Sequence, residues 1–84
     1  MNREEIVDRV KKMIAEQFGM TIEEISEKSN LQNDLNADSL DAVEIMMCVE
    51  DRFYITIPDE ESDQLLTVEL MVDYVEKKLE KKGN

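Results

Sequence analysis

Apolar residues recur at helical spacing in three stretches of this chain, whereas only one short run alternates in the manner of a β-strand. That run covers residues 53–57, and it has no second strand with which to share backbone hydrogen bonds. We therefore predict an extended loop there and an all-α fold overall. With 84 residues, the chain has room for one hydrophobic core, so a single domain over residues 1–84 is expected.

Three main helices are predicted from the periodic stretches. The first covers residues 3–16, the second covers residues 39–53, and the third begins after Thr67. A short helix is expected from residue 59 to about residue 65, directly after a proline. The predicted fold is a small bundle of three main helices plus one short helix. The buried stripe of the third main helix comprises Val68, Met71, Val72, Val75 and Leu79.

Capping signals define the starts of the first two helices. Asn2 with Glu5, and Asp38 with Asp41, place an N-cap oxygen and an acidic side chain three positions apart, as in a capping box. Between these helices, residues 20–37 show no clear period. We therefore predict a long loop between the first and second helices, held in place by scattered apolar anchors.

The chain is strongly acidic, and its excess charge is concentrated in one segment. Ten basic and 21 acidic side chains give a net charge of −11, and residues 34–63 hold ten of the acidic residues but only one basic residue. This sign opposes phosphate backbones and anionic headgroups, so nucleic acid and membrane surfaces are unsuitable partners. A solvated face kept for solubility is the simplest explanation. Because crowded like charges repel, their concentration favours docking to basic protein surfaces instead.

A self-contained catalytic triad is excluded by the composition. The chain has no histidine, which removes the commonest general base and metal ligand, and its only cysteine is Cys48. One cysteine forms neither an internal disulfide nor a cysteine-based zinc site, so a reducing compartment, the cytoplasm, is expected. No signal peptide is recognisable, and no stretch approaches the roughly 20 apolar residues of a membrane span. We interpret Cys48 as a packing residue or half-exposed thiol without a catalytic role.

One segment partly matches a calcium-binding loop. Asp34, Asn36 and Asp38 occupy the first three ligand positions of such a loop. The pattern then fails, because Ser39 stands at the position that requires glycine and Ile45 stands where a bidentate glutamate is needed. We therefore expect no specific metal site and only loose association of divalent cations with the acidic helix.

Ser39 is a lone hydroxyl at the start of the most acidic helix. A serine at a helix start is ordinarily a capping residue. However, the segment 34–41, Asp-Leu-Asn-Ala-Asp-Ser-Leu-Asp, resembles the prosthetic-group attachment motif of acyl carrier proteins. The similarity continues through residues 43–45, 50–53 and 55–61 and into the start of the last helix, so it spans nearly the whole chain.

The sequence departs from the family pattern at Asn36. The family usually has glycine at this position, two residues before the predicted N-cap Asp38. Asparagine is the non-glycine residue that best tolerates a positive φ, so we expect the same turn and the same function.

The resemblance, closest to the bacterial fatty-acid-synthesis type, implies a carrier and not an enzyme. A phosphopantetheinyl transferase would attach 4′-phosphopantetheine to Ser39, and acyl groups would be carried as thioesters on that arm. The other implied partners are acyl-chain biosynthetic enzymes with basic docking patches, and a monomer is expected. The implied partner-binding residues are Asp38, Asp41, Glu44, Met47, Glu50, Asp51, Glu60 and Glu61. On a helical wheel Ser39 points toward the buried side, so an acyl chain would fold back near Val43, Met46, Met47, Ile57 and Leu65.

Three alternatives stay open on the sequence. A carrier of aminoacyl or peptidyl cargo has a similar fold, although the aspartates on both sides of Ser39 and Leu40 fit acyl cargo better. A carrier of polyketide chains is not distinguished from a carrier of fatty acyl chains. An acidic inhibitor or nucleic-acid mimic, a different class of protein, would explain the charge but would have no need of Ser39 in this setting.

Overall fold

Helices dominate the structure, a computed structural model that describes residues 1–82 of the chain. Within those residues there is no β-strand, and the only β-type pairing is an isolated bridge between Asn30 and Thr67. The predicted all-α fold of three long helices and one short helix is confirmed. The α-helices are α1 (Arg3–Phe18), α2 (Ser39–Phe53), α3 (Asp59–Ser62) and α4 (Val68–Lys82), and a 3₁₀ helix (Ile22–Glu24) lies in the long loop between α1 and α2.

The predicted capping box begins α1. The Asn2 side chain accepts the Glu5 N–H at 2.9 Å, and the Glu5 carboxylate accepts the Asn2 N–H at 3.5 Å. The helix ends before Gly19, whose φ of 64° lies in the left-handed region that glycine adopts without steric penalty. α1 extends to Phe18, two residues beyond the periodic stretch 3–16, and ends at Gly19, the residue that the sequence places to stop it.

The core is formed by the apolar faces of α1, α2 and α4. Among these helices, α1 packs against both α2 and α4, and the long loop adds Ile25 and Leu31, which are 3% and 2% exposed. Each fully buried Val, Ile or Met side chain contributes about 1.5–3 kcal/mol relative to an exposed one. The most buried side chains are Ile6, Val10 and Ile14 on α1, Ile45 and Val49 on α2, and Val68, Met71, Val72 and Val75 on α4.

The long loop between α1 and α2 is tied to the start of α4. The Glu69 N–H donates to the carbonyl oxygen of Glu27 at 2.8 Å, and the Val68 N–H donates to that of Ser29 at 3.3 Å. The first amides of a helix have no partner within the helix, so the loop carbonyls satisfy them. The loop is therefore held in place as predicted, and its C-terminal end leads directly into α2.

The short helix α3 is shorter than predicted. It ends at Ser62, whereas the sequence pattern predicts an end near residue 65. The N–H groups of Gln64 and Leu65 bond to carbonyl oxygens three residues earlier, at 3.1 Å each. This tighter spacing is that of a turn, so the α-helical pattern does not continue.

α2 leaves several of its apolar residues exposed. Leu40, Val43 and Met47 are 65%, 52% and 61% exposed, whereas Ile45 and Val49 are buried. The apolar arc of this helix is wider than the area that its neighbours cover. Leu40, Val43 and Met47 lie outside that area and therefore face solvent.

Candidate functional site

Ser39 is the first residue of α2, and it is exposed. Asp38 is the N-cap, and its Oδ1 accepts the Asp41 N–H at 2.9 Å. The Asp41 carboxylate in turn accepts the Asp38 N–H at 3.3 Å, which completes the predicted capping box. Because Asp38 performs the capping, the Ser39 hydroxyl is not needed to begin the helix.

A left-handed turn at Asn36 directs the chain into α2. Asn36 has a φ of 56°, as predicted for the residue that replaces the family's glycine. The next residue, Ala37, donates its N–H to the carbonyl oxygen of Leu31 at 2.8 Å. The chain thus reverses direction within a few residues before Ser39.

A small cavity of about 180 Å³ lies beside Ser39, between α2, the long loop and the segment after α3. Its inner wall is mostly apolar, and its polar side chains come from the loop, from α3 and from Ser39 itself. Ser39 is therefore exposed and yet borders an apolar space. The lining residues are Leu31, Gln32, Ser39, Ala42, Val43, Met46, Ser62, Asp63, Leu65 and Leu66.

The cavity brings together three of the five residues expected to contact an acyl chain. Val43, Met46 and Leu65 line it, and Met46 and Leu65 are each 7% exposed. Ile57 is also 7% exposed, but it belongs to the core and does not line the cavity. Met47 borders a different depression, because consecutive helical residues point about 100° apart.

The acidic side chains at the start of α2 converge with the end of α1. The Gln17 amide nitrogen lies 3.2 Å from Glu44 Oε2 and 3.4 Å from Asp41 Oδ1, so it donates to both carboxylates. A second link joins Arg52 to Glu16 at 3.9 Å. A neutral donor between two like charges offsets part of their repulsion. Asp41 and Glu44 are thus neighbours on one surface, as expected for partner-binding residues.

Other acidic residues assigned to partner binding have contacts within the fold. The Glu50 carboxylate accepts the Ile57 N–H at 2.7 Å and so holds the extended segment after α2. The Tyr74 hydroxyl donates to the carbonyl oxygen of Thr56 at 3.5 Å. Burial of the phenol, then its hydrogen bond with Glu61 and the negative charges of Glu61 and Glu50, raise the pKa of Tyr74 to about 12.

The remaining acidic residues of the expected partner-binding set are exposed. Asp38 lies at the start of α2, Asp51 lies near its end, and Glu60 lies on α3. The three residues are therefore accessible from solution, although Asp38 Oδ1 also accepts the Asp41 N–H, just as the Glu50 carboxylate accepts the Ile57 N–H.

An exposed apolar stripe runs along α2 beside the acidic residues. Leu40, Val43 and Met47 are spaced at three and four residues, which places them on one face of the helix. Exposed apolar residues rimmed by charge mark an interaction surface. Leu40 was not among the predicted site residues, although its helical spacing from Val43 and Met47 was a usable signal. We call Leu40, Val43, Met47 and Glu44 the docking face.

Cys48 lies next to the docking face and is a free, half-buried thiol. It borders an open depression of about 550 Å³ with Gln17, Glu44, Met47, Glu50 and Asp51. Among residues 1–82, no three Asp, Glu or Cys side chains converge in a way that could hold a metal ion. None of the helices in this range is long and apolar enough to cross a membrane.

Comparison with known proteins shows which family the chain belongs to. The family model described as the phosphopantetheine attachment site matches residues 8–75, so the chain belongs to this family. An acyl carrier protein from Enterococcus faecalis has a similar solved structure, with a TM-score of 0.79 and 35% sequence identity. The similarity covers 93% of this chain and 99% of that one. The protein is therefore a carrier with a phosphopantetheine cofactor and not an enzyme.

The residues around Ser39 fit this cofactor. The hydroxyl is on an exposed residue, as covalent attachment requires, and the positive end of the α2 dipole favours a phosphate beside it. The neighbouring cavity offers apolar walls to whatever the cofactor carries. When bound, the cofactor supplies a thiol that holds cargo as a thioester. Ser39 would hold the phosphate, and the residues around it would orient the attachment point.

Proposed function

We propose that Ser39 is the residue to which phosphopantetheine is attached and that the protein carries the acyl chains of fatty acid synthesis. One observation carries the proposal: the exposed first residue of α2 also borders the apolar cavity. A group attached there extends away from the bundle toward a partner enzyme. It can also return its cargo to the cavity.

Loading needs a base from the partner transferase. In this step the Ser39 Oγ attacks a phosphorus of coenzyme A, a phosphodiester forms, and the adenosine bisphosphate portion leaves. The chain has no histidine, and the nearest carboxylates, Asp38 and Asp41, are engaged in the capping box. Ser39 is thus a substrate, and the transferase accepts its proton.

The cavity favours acyl cargo over aminoacyl cargo. At about 180 Å³ it is comparable to an engineered apolar cavity of about 150 Å³ that binds benzene. Val43, Met46 and Leu65 give an acyl chain apolar walls, whereas the charged residue that lines the cavity, Asp63, is exposed to solvent. Methionine is flexible, so Met46 can change rotamer as a longer chain enters. We assign Val43, Met46 and Leu65 to the acyl pocket and leave Ile57 and Met47 out of it.

The docking face explains how partner enzymes recognise the carrier. Leu40, Val43 and Met47 supply apolar contact, while Glu44 and the neighbouring Asp41 attract Lys and Arg side chains. Electrostatic complementarity of this kind speeds association more than it strengthens binding, which suits a carrier that visits several enzymes. We infer a monomer that acts in the cytoplasm, where its single free thiol stays reduced.

The proposal is tested by loading in vitro. Wild-type protein incubated with coenzyme A, magnesium and a broad-specificity phosphopantetheinyl transferase should gain the mass of one phosphopantetheine. Ser39→Ala should gain none, while its circular dichroism stays unchanged because Asp38 keeps the cap. Ser62→Ala is the matched control, since Ser62 lines the same cavity and should leave loading intact. Equal labelling of Ser39→Ala and wild type would disprove the assignment.

A further inference from the structure

Asn30 is the centre of a hydrogen-bonded turn in the loop before α2. Its Oδ1 accepts the N–H groups of Gln32 and Asn33, each at 2.9 Å. Its carbonyl oxygen accepts the N–H groups of Asp34 at 2.9 Å and Leu35 at 3.2 Å. Its own N–H donates to Asp34 Oδ2 at 2.7 Å. We call this segment, residues 30–35, the Asn30 turn.

The Asn30 turn is anchored to the rest of the molecule at its first two residues. Asn30 forms the isolated β-bridge with Thr67, directly before α4. Leu31 donates its N–H to the carbonyl oxygen of Leu66 at 2.9 Å, and its side chain is 2% exposed. The base of the turn is therefore held by both backbone pairing and core packing.

The same turn determines the path of the backbone that leads to Ser39. The Ala37 N–H returns to the carbonyl oxygen of Leu31, and Asn36 completes the reversal in the left-handed region. Only Asp38 separates this reversal from Ser39. The backbone between the turn and the attachment residue thus has little freedom. The turn also supplies Leu31 and Gln32 to the wall of the cavity that Ser39 borders.

We propose that Asn30 is a positioning residue for loading, a role that rests on the proposed function of Ser39. The Asn30 side chain holds the amides of Gln32 and Asn33, which keeps the turn closed. The closed turn fixes the backbone that leads into Ser39 and the wall that Leu31 and Gln32 give to the cavity beside it. Asn30 touches no reacting atom, and its effect on loading is exerted through the backbone that leads to Ser39.

Most of the docking face lies farther along α2 than Ser39 and its neighbour Leu40. Glu44 and Met47 lie on later turns of the helix, which are held to the core by Ile45 and Val49. Loss of the Asn30 side chain should therefore leave the KM for the carrier unchanged and lower kcat, because misplacement of a reacting group by about 1 Å costs up to about 100-fold in rate.

The test compares three variants in transferase kinetics and amide hydrogen exchange. Asn30→Ala should lower kcat about tenfold with KM unchanged, and it should speed exchange of the Gln32 and Asn33 amides. Asn30→Ser retains an oxygen that bonds the backbone more weakly, so it should restore most of kcat. Asn33→Ala is the matched control, because it removes the same side chain type from the same turn and should behave like wild type.

Several results would overturn the proposal. Equal kcat for Asn30→Ala and Asn33→Ala, with wild type loaded normally, would remove the role of Asn30 and leave that of Ser39 intact. Unchanged exchange at Gln32 and Asn33 would show that the Asn30 side chain does not hold the turn. If Asn30→Ala does not fold, Asn30→Ser carries the test: its weaker hydrogen bonds should make the Gln32 and Asn33 amides exchange faster than in wild type, and unchanged exchange at both amides would count against the proposal. An unloaded wild-type protein would overturn both the proposed function and this inference.

Discussion

At the start of α2, Asp38 caps the helix and Ser39 is the proposed attachment residue, so the two roles belong to different side chains. Asp38 and Asp41 exchange both capping hydrogen bonds, at 2.9 Å and 3.3 Å, and so begin α2 without a hydroxyl. Ser39 is then free to carry a large substituent without loss of the cap. A cap is worth about 1 kcal/mol, so separating the tasks keeps the helix start intact in the unloaded and loaded forms.

The raised pKa of Tyr74 predicts that the protein becomes less stable at alkaline pH. Burial of its phenol, with Glu61 nearby, raises the pKa of Tyr74 from its usual value near 10 to about 12. A raised pKa means that the folded state holds the proton more tightly than the unfolded state. The resulting stabilisation is fully present below pH 10 and is lost as the pH rises toward 12. Chemical denaturation at a series of pH values should therefore show a falling free energy of unfolding in this range.

The two tyrosines provide the control for that measurement. Tyr74→Phe should lose the part of the pH dependence that falls between pH 10 and 12. Tyr54→Phe leaves Tyr74 as the only tyrosine, so the ultraviolet absorbance of tyrosinate in this variant reports Tyr74 directly. A midpoint near 10 in that titration would contradict the raised pKa.

At the scale of helices and loops, capping and spacing rules predicted the features that depend on residues within a single segment. The caps at Asn2 and Asp38 and the stripe of α4 follow from neighbours three or four residues apart, and the structure confirms them. The turn at Asn36 was predictable for the same reason, because tolerance of positive φ is a property of one residue.

Features that depend on several segments could not be predicted from the pattern. A helical wheel gives the direction of each side chain but not how far the neighbouring helices reach, so the exposure of Leu40 was missed. The helical wheel also predicted that Met47 lies near an acyl chain, whereas Met47 borders a different depression from the cavity beside Ser39. The hydrogen bond from the Ile57 amide to Glu50 crosses a loop, and nothing in the spacing of these residues indicates it.

The docking face of α2 predicts that charge reversal has a position-dependent effect. Glu44→Lys should raise the KM of the carrier for the transferase and acyl-transfer enzymes by about tenfold, because a rim charge chiefly affects association. Glu4→Lys is the matched control, since Glu4 is an exposed glutamate on α1 outside this face. The difference should shrink as salt is added. Equal effects of the two reversals would indicate that only the total charge matters.

Over the whole molecule, a net charge of −11 is carried by a fold whose principal extents are 36 × 26 × 19 Å. Most of the excess lies in residues 34–63, where the docking face and the attachment residue are located. The Debye length is about 30 Å at 0.01 M salt and about 10 Å at 0.1 M. At low salt, all of these charges therefore repel one another, and the surface that attracts partners also destabilises the fold.

This repulsion predicts that salt stabilises the protein. The melting temperature should rise by about 5 °C or more between low salt and moderate sodium chloride, because each relieved like-charge pair returns a few tenths of a kcal/mol. Magnesium should act at lower concentration through loose association with neighbouring carboxylates. The double variant Asp51→Asn with Glu60→Gln should melt higher at low salt and gain less from added salt. A midpoint insensitive to both salts would show that the acidic residues are better compensated than inferred.

The central claim, that Ser39 carries phosphopantetheine and an acyl chain, is tested most directly by mass spectrometry of the protein purified from its native host. The intact mass should exceed that of the chain by one phosphopantetheine, with a fraction further increased by saturated acyl groups. Fragmentation should place the modification on Ser39. An unmodified chain, a modification on another residue or an aminoacyl cargo would contradict the account.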